Sequence, residues 1–300
     1  MTNERSLGIQ GFFCFLPGHR IELEPRYHFQ APDGAKERSE SDPAANQEVL
    51  NMIIIKTKEQ IAKMHEAGKI LAACHKEIAK MIRPGITTME IDRFVERFLK
   101  EHNATPEQKG YMGYPYATCA SVNDVICHGF PSETELKDGD IVTIDMVVNL
   151  NGWLADSAWS YPVGNISDEA AHLLKTTEES LYKGIEQAVI GNRLGDIAHA
   201  IQTLAEAEGF SVVREFVGHG IGQDMHEEPQ VLHYGPAGKG MRLKEGMVIT
   251  IEPMLNTGVW QSKRDPDGWT ARTKDGGLSA QYEHTLAITA DGPLILTMQD

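Results

Sequence analysis

The chain has 300 residues, of which 41% are hydrophobic, and a formal net charge of −15 at pH 7. It is long enough to bury a sizeable core, in one large domain or two smaller ones. The acidic excess argues against DNA as a partner, because phosphate binding depends on clustered Lys and Arg. No apolar run has the length of a membrane span and the four cysteines form no Cys-x-x-Cys pair, so we expect a protein of the reducing cytoplasm with no membrane partner.

The N-terminal part of the sequence differs from the rest. Residues 1–51 show no sustained hydrophobic period, and residues 32–43 mix Pro, Gly, Ser and charges, which is typical of a linker or a disordered tail. A regular pattern begins at Met52, where the apolar run Met52–Ile55 predicts a strand and suggests an alternative translation start. We therefore expect an N-terminal extension over 1–51 and a folded domain over 52–300.

Two capping boxes predict the first helices. Thr57 and Gln60 open one helix, and Thr87 and Glu90 open a second that runs to about Asn103. A similar spacing recurs 106 positions later, and it pairs Ile91, Val95, Phe98 and Asn103 with Ile197, Ile201, Leu204 and Gly209. Because helices precede strands in both parts, the repeat predicts an internally duplicated α+β domain, although any two amphipathic helices can be aligned in this way.

Two β-rich runs flank Asn151-Gly152 and predict a hairpin with a two-residue type I′ turn. With this turn, Val147 faces Asp156. Asp145 then lies diagonal to Asp156 on the same face of the hairpin, at roughly 7 Å. Two carboxylates are thus predicted to converge on one side.

The surroundings make this convergence costly. Asp145 interrupts an apolar run that predicts a buried strand, and like charges side by side oppose joint ionisation. An ion pair, a turn cap or a bound cation would offset the cost. No Lys or Arg occurs in residues 138–174, which favours a cation, but the hairpin alone leaves the alternatives open.

Three further residues suit the same chemistry. His219 lies between two glycines, whose lack of side chains permits a close backbone approach. Glu252 and Glu283 each interrupt a strand-like apolar run. By contrast, residues 226–229 (His-Glu-Glu-Pro) do not predict a zinc-protease helix, because the second His is missing and the Pro disfavours a helix.

Together these observations predict a metal centre with the ligands Asp145, Asp156, His219, Glu252 and Glu283. The four ionised carboxylates carry four negative charges, which two divalent ions neutralise. Oxygen-rich ligation with one imidazole suits cobalt, manganese, iron(II) or zinc, and the sequence does not choose among them. Two such ions can activate water and polarise a carbonyl group in a hydrolytic reaction.

The candidate ligands belong to a longer series of motifs, in order Cys127-His128-Gly129, Ile144-Asp145, Asp156-Ser157, Gly218-His219-Gly220, His226-Glu227-Glu228-Pro229, Ile251-Glu252-Pro253-Met254 and Ala280-Gln281-Tyr282-Glu283-His284-Thr285. The series closely resembles type I methionine aminopeptidase over about residues 52–300. This resemblance implies the α+β "pita-bread" fold, with two similar halves around a central antiparallel sheet, and a catalytic domain over 52–300.

The resemblance also implies a role for each residue. The ligands are implied to divide between two metals, with Asp156, His219 and Glu252 on one, Asp145 on the other, and Asp156 and Glu283 contributing to both. Glu252 is also implied to accept the proton of the attacking water. His226 is implied to hydrogen-bond the scissile amide, and His128 to assist near the substrate.

A pocket for the methionine side chain is implied by the same comparison, with the lining residues Tyr111, Tyr114, Cys119, Met225 and Trp269. Sulfur and aromatic groups suit a thioether. A site for a monovalent cation is implied at Asn123, Val125 and Ser279. Two positions depart from some family members, since Met225 replaces a Phe and Gln108 replaces a Cys.

The implied function is removal of the N-terminal methionine from nascent polypeptides, with preference for a small second residue. We expect a monomer that acts on N-terminal methionyl polypeptides and contacts the ribosome transiently. One alternative is a proline-specific aminopeptidase or dipeptidase of the same fold, but those proteins usually carry a large extra N-terminal domain, for which 1–51 is too short. The other is a non-catalytic binding protein of this fold, which is expected to lose metal ligands.

Overall fold

The computed structural model describes residues 53–299 of the chain. The predicted extension over 1–51 and the alternative start at Met52 lie outside the described residues. Residues 53–55 do not form the predicted apolar strand, and Ile54 and Ile55 are exposed. Within the described range, no helix combines the length and the apolar character needed to cross a membrane.

The described part of the chain contains four α-helices, α1 (Lys58–Met81), α2 (Thr88–Glu101), α3 (Asp168–Glu186) and α4 (Leu194–Ala207). Both predicted capping boxes are present. The side chains of Thr57 and Thr87 accept from the backbone of Gln60 and Glu90, whose side chains in turn accept from the capping residues. Both helices therefore begin where the sequence predicts.

The two halves repeat the same helical arrangement. A long helix precedes a 14-residue helix in each half. The residues that the repeat pairs after the shorter helices, Asn103 and Gly209, both have positive φ angles, of 57° and 88°. This left-handed conformation commonly ends a helix, so the structure confirms the duplication down to the turn that follows α2 and α4.

Short strands form the rest of the fold, and in chain order they are β1 (Thr105–Pro106), β2 (Cys119–Val122), β3 (Val125–Cys127), β4 (Ile141–Leu150), β5 (Trp153–Pro162), β6 (Ser211–Val212), β7 (Gly218–Gly220), β8 (Glu227–Val231), β9 (Val248–Ile251), β10 (Met254–Asn256), β11 (Ser262–Arg264), β12 (Ala271–Thr273), β13 (Ser279–Gln281), β14 (His284–Thr289) and β15 (Gly292–Ile295). A 3-10 turn, Tyr111–Gly113, precedes β2. In the first half β4 pairs with β1, β2 and β5, and in the second half the order is β15-β14-β9-β7-β8.

The central hairpin has the predicted register. Leu150 pairs with Trp153 and Val147 pairs with Asp156, and both turn residues between the strands have positive φ. A type I′ turn requires this conformation at both positions. The prediction that Asp145 and Asp156 share a face is therefore confirmed.

Two apolar cores lie on opposite sides of the central strands. One contains side chains of α1 and α2 with alternate residues of β4, such as Ile144 and Met146. The other contains side chains of α3 and α4 with residues of β9 and β14, and Trp159 packs against both cores. Because side chains alternate along β4, Asp145 points away from the first core and towards the second half of the molecule.

Candidate metal centre and active site

The candidate ligands lie where strands of the two halves meet. Asp145 and Asp156 are on the β4–β5 hairpin, and His219 is the central residue of β7. The sequence pattern indicated that Glu252 and Glu283 lie inside strands, but in the structure both lie just outside them. Glu252 directly follows β9 and Glu283 directly precedes β14. At these ends the chain leaves the strand pairing, so the backbone can turn each carboxylate towards the centre.

The structure brings the ligand atoms close together. One potential ligand atom from each of Asp156, His219 and Glu283 lies within 4.8 Å of the others. The Nε2 atom of His219 is 3.7 Å from Asp156 Oδ2 and 3.6 Å from Glu252 Oε1. Asp145 belongs to the same cluster, because its charge contributes to raising the pKa of Asp156, Glu252 and Glu283.

Hydrogen bonds hold the histidine ligand in one orientation. The Nδ1 atom of His219 donates to the carbonyl oxygen of Gly220 at 2.9 Å, which leaves the lone pair of Nε2 facing the carboxylates. A Cβ atom on Gly218 would lie 2.6 Å from the carbonyl oxygen of Thr250, and one on Gly220 would lie 2.3 Å from that of Glu228. The close backbone approach predicted around this histidine is thus confirmed.

Several supporting residues were not identified from the sequence. Thr250 Oγ1 donates to Glu252 Oε1 at 2.8 Å, and Gln281 Nε2 donates to Glu252 Oε2 at 3.3 Å. The backbone N–H of Glu252 donates to the Nε2 atom of buried His233 at 3.1 Å. Gln281 could have been suspected from its motif, but nothing in the sequence links His233 to a residue 19 positions away.

The electrostatics of the cluster fit a divalent cation. Burial raises the pKa of Asp145 to about 7 and that of Glu252 to about 8, and burial with neighbouring carboxylates raises the pKa of Asp156 and Glu283 well above the usual range. Burial also lowers the pKa of His219 to about 3, which keeps its imidazole neutral. Asp156 Oδ1 and Glu283 Oε1 are buried with no hydrogen-bond partner among the described residues. Such oxygen atoms and a neutral imidazole are suitable metal ligands.

Metal binding should therefore be pH-dependent. At pH 8 and a hundredfold excess over Kd, Mn²⁺ is expected to stabilise the metal-free fold by about 2.7 kcal/mol, which raises the Tm by about 5–10 °C. At pH 5.5 the rise should be much smaller, because the buried carboxyls must first release protons. The metal-free fold should itself gain stability as the pH falls from 8 towards 7, because the folded-state pKa of these carboxyls lies above the unfolded-state value. Thermal melts with and without EDTA test this, and a Tm rise independent of pH would contradict it.

The two non-ligand histidines lie beside the metal cluster. The ring centroid of His226 is 4.5 Å from that of His219, and its Nδ1 atom is 3.0 Å from the hydroxyl of Tyr111. His128 has a positive φ of 57° and packs edge-on to Phe216. Its Nδ1 atom is buried without a partner among the described residues, and burial lowers its pKa to about 4. Both imidazoles are therefore available to a bound molecule.

Most of the predicted pocket residues form an aromatic group beside these histidines. Tyr114 packs edge-on to Trp269 with a centroid distance of 5.0 Å, and Trp269 lies 6.3 Å from His128. Cys119 is buried and pairs with Asp145 across β2 and β4. Met225 is also buried, but it packs in an apolar cluster with residues of the hairpin and α1.

Gln108, one of the two departures that the family resemblance implies, is buried and contacts both Cys119 and the hairpin. Its side chain accepts from the backbone N–H of Val147 at 2.7 Å and donates to the carbonyl oxygen of Asp145 at 3.3 Å. The amide nitrogen also lies 3.6 Å from the Sγ atom of Cys119. The departure at this position therefore has a structural consequence, because the glutamine fastens the strand that carries Asp145.

Two of the residues predicted to bind a monovalent cation are adjacent. The backbone N–H of Ser279 donates to the carbonyl oxygen of Asn123 at 2.9 Å. The Ser279 hydroxyl and the Oδ1 atom of Asn256, its partner across the strands, are buried without partners among the described residues. Val125 lies on the neighbouring strand β3. Cation binding here stays a prediction.

This fold and site are those of a metallopeptidase. The chain matches the model of metallopeptidase family M24 over residues 62–290 and belongs to that family. It is 55% identical over 246 residues to methionine aminopeptidase 1 of Bacillus subtilis (strain 168), a match that spans 82% of this chain and 99% of the relative. The resemblance inferred from the motifs is thus confirmed. The prediction that the protein is a metal-dependent hydrolase is confirmed as well.

Solved structures support the same conclusion. The crystal structure of methionine aminopeptidase from Rickettsia prowazekii is similar with a TM-score of 0.81 at 43% identity, over 82% of this chain and 100% of that chain. The prolidase from Pyrococcus furiosus is similar with a TM-score of 0.68 at 23% identity, over 85% of this chain and 68% of that chain, which shows a common fold. The α+β pita-bread fold is therefore confirmed.

Proposed function

We propose that this protein is a methionine aminopeptidase, which removes the N-terminal methionine from polypeptides, with preference for a small second residue. The observation that supports this most strongly is that the cluster of candidate ligands lies beside an aromatic group containing Tyr114, Trp269 and His128. Metal and pocket together suit an exopeptidase that holds one apolar side chain while a nearby amide is hydrolysed.

The site has the donors for divalent metal, and we propose two ions held by Asp145, Asp156, His219, Glu252 and Glu283. The bound metal would supply positive charge that polarises the scissile carbonyl and makes water more acidic. Cobalt, manganese, iron(II) and zinc all suit this donor set.

The side chains of the protein perform the remaining steps. Glu252, oriented by Thr250 and Gln281, is placed to accept a proton within the cluster. The Tyr111 hydroxyl can donate to Nδ1 of His226, which leaves the proton on Nε2 available to the scissile amide. His128, neutral and with an unpartnered Nδ1, can accept or donate at the other side of the substrate.

The apolar pocket provides the specificity for methionine. Tyr114 is held in place because its hydroxyl contacts the carbonyl oxygens of Thr118 and Gly129 at 3.0 Å and 3.1 Å. Trp269 and the thiol of Cys119 add a polarisable surface that suits a thioether.

We propose that the protein acts in the cytoplasm on N-terminal methionyl polypeptides. The described cysteines Cys74, Cys119 and Cys127 are free and buried thiols, as expected in a reducing compartment. A monomeric state and a transient ribosome contact stay predictions from the family resemblance.

The test compares two substrates with metal-stripped protein reloaded with manganese, cobalt or iron(II). We expect metal-dependent release of methionine from a Met-Ala-Ser peptide and no cleavage of an Ala-Pro peptide. An Asp145→Asn variant should be inactive, because it removes one charged ligand. Cleavage of Ala-Pro instead would assign the protein to the proline-specific members of the fold, and cleavage of neither peptide would favour a binding protein.

A further inference from the structure

A buried ion pair lies next to the loop that carries His226. Lys56 Nζ contacts Glu227 Oε2, and the two side chains are only 2% and 6% exposed. Lys56 lies just before α1, and 171 positions separate the two residues in the chain. We propose that this pair is a positioning element, which fixes loop 221–226 so that His226 is aligned with the substrate.

The ion pair can act on His226 because Glu227, the first residue of β8, directly follows His226 in the chain. The strands β7 and β8 are joined by loop 221–226, and Gly220 pairs with Glu227. His226 lies in the bend just before β8, with its ring 4.5 Å from that of His219, and the carboxylate of Glu227 contacts Lys56 Nζ. Because the two residues are joined by one peptide bond, fixing the Glu227 carboxylate restricts the backbone that carries the imidazole of His226.

The loop rests on the ion pair itself. A Cβ atom on Gly222 would lie 2.4 Å from Glu227 Oε1 and 2.7 Å from Lys56 Cε. On the other side, the carbonyl oxygen of Gly222 accepts from the backbone N–H of Leu154, on the metal-binding hairpin, at 2.9 Å. The loop is thus held between the ion pair and β5 near its start, and its last residue, His226, is joined directly to Glu227.

Hydrogen bonds also fix the backbone around Lys56, the positively charged partner of the pair. The backbone N–H of Lys56 donates to the carbonyl oxygen of Gly246 at 2.8 Å, and the next residue, Thr57, caps α1. Removing one partner of a buried pair leaves the other charge uncompensated, whereas replacing both with apolar groups of similar volume is often tolerated. A buried pair of this kind contributes little net stability, so its role here is to orient the loop. Neither residue is a candidate metal ligand.

This inference rests on the proposed function, so the wild-type protein is assayed first for metal-dependent methionine release. We expect Glu227→Gln and Lys56→Met to lower kcat/KM by about 10- to 100-fold, the range that is typical for residues that orient a metal ligand. The Kd for Mn²⁺ should stay within about twofold of wild type. Lys58→Met, an exposed lysine in the first turn of α1, is the matched control and should behave as wild type.

A double-mutant cycle separates positioning from a merely structural effect. In a His226→Ala background, Glu227→Gln should cause less than about a twofold further loss, because the pair acts through that histidine. Fully multiplicative losses would overturn the proposal. So would folded, metal-loaded single variants with wild-type kcat/KM.

A second variant keeps the proposal testable if the single variants do not fold. Lys56→Met/Glu227→Met leaves no uncompensated charge and should fold, bind Mn²⁺ normally and still lose about tenfold in kcat/KM. Wild-type activity in this double variant would overturn the proposal. Failure of the wild-type protein to release methionine would instead refute the proposed function, so the two failures are distinguishable.

Discussion

Replacement of Asp156 by Asn is expected to lower kcat/KM for methionine release at least about a thousandfold, which corresponds to about 4 kcal/mol of transition-state stabilisation. Asp156 has the central place in the cluster, because its Oδ2 atom is 3.7 Å from His219 Nε2 and its Oδ1 atom is buried without a partner among the described residues. Asn preserves the shape but supplies neither the negative charge nor the second anionic oxygen.

The same substitution should stabilise the metal-free fold. Burial together with the charges of Asp145 and Glu252 raises the pKa of Asp156, so its ionised form opposes folding at pH 8. We therefore expect metal-free Asp156→Asn to melt at a higher temperature than the metal-free wild type at pH 8, and Mn²⁺ to raise its Tm much less. A functional residue that costs stability is a common trade-off.

Three measurements on each protein check this prediction: the rate of methionine release, the Kd for Mn²⁺ by calorimetry, and Tm without metal. Asp291→Asn, at an exposed position in the turn before β15, is the control and should change none of them. Wild-type activity or wild-type metal affinity in Asp156→Asn would remove Asp156 from the set of ligands.

Replacement of Gly68 by Ala is expected to have the largest effect on stability, about 3 kcal/mol or more. Its Cβ atom would lie 1.9 Å from the carbonyl oxygen of Leu296 and 2.7 Å from the carbonyl carbon. This backbone cannot retreat easily, because the N–H of Leu296 donates to the carbonyl oxygen of Thr285 at 2.8 Å. Overpacking typically costs 1–3 kcal/mol, and a rigid obstacle of this kind requires α1 to move.

A second helical glycine provides a matched control. A Cβ atom on Gly184 in α3 would meet only side-chain atoms among its nearest neighbours, Ile201 Cδ1 at 2.7 Å, Ile201 Cγ1 at 2.9 Å and Ile197 Cγ2 at 3.4 Å. Flexible side-chain ends can turn aside, and Ala favours a helix by about 1 kcal/mol over Gly. Gly184→Ala should thus cost far less than Gly68→Ala. Urea unfolding of both metal-free variants measures the difference, and equal costs would contradict the packing argument.

The parts of the site that were predictable from the sequence depend on local rules. The turn at Asn151-Gly152 fixes the register, and register alone places Asp145 and Asp156 on one face. The capping boxes likewise set the first turns of α1 and α2. Each of these features depends on residues that are close in the chain.

The features that were not predictable join distant segments. Periodicity could not show that Glu252 and Glu283 lie at strand ends, because the apolar residues continue across both positions. The contact of Lys56 with Glu227 and that of His233 with Glu252 arise only when separate segments pack together. Sequence patterns thus indicated the candidate ligands by type, but the groups that orient them needed the structure.

The division of the ligands between the two halves has a consequence for the whole molecule. The candidate ligands Asp145 and Asp156 come from the first half, and the candidates His219, Glu252 and Glu283 come from the second, so neither half alone possesses the whole proposed set. An ion bound by this set would therefore be a reversible cross-link between the halves, and closing a long loop in this way would restrict the unfolded chain in the manner of a disulfide. The same bonds between ion and side chains would then support both catalysis and the association of the two halves.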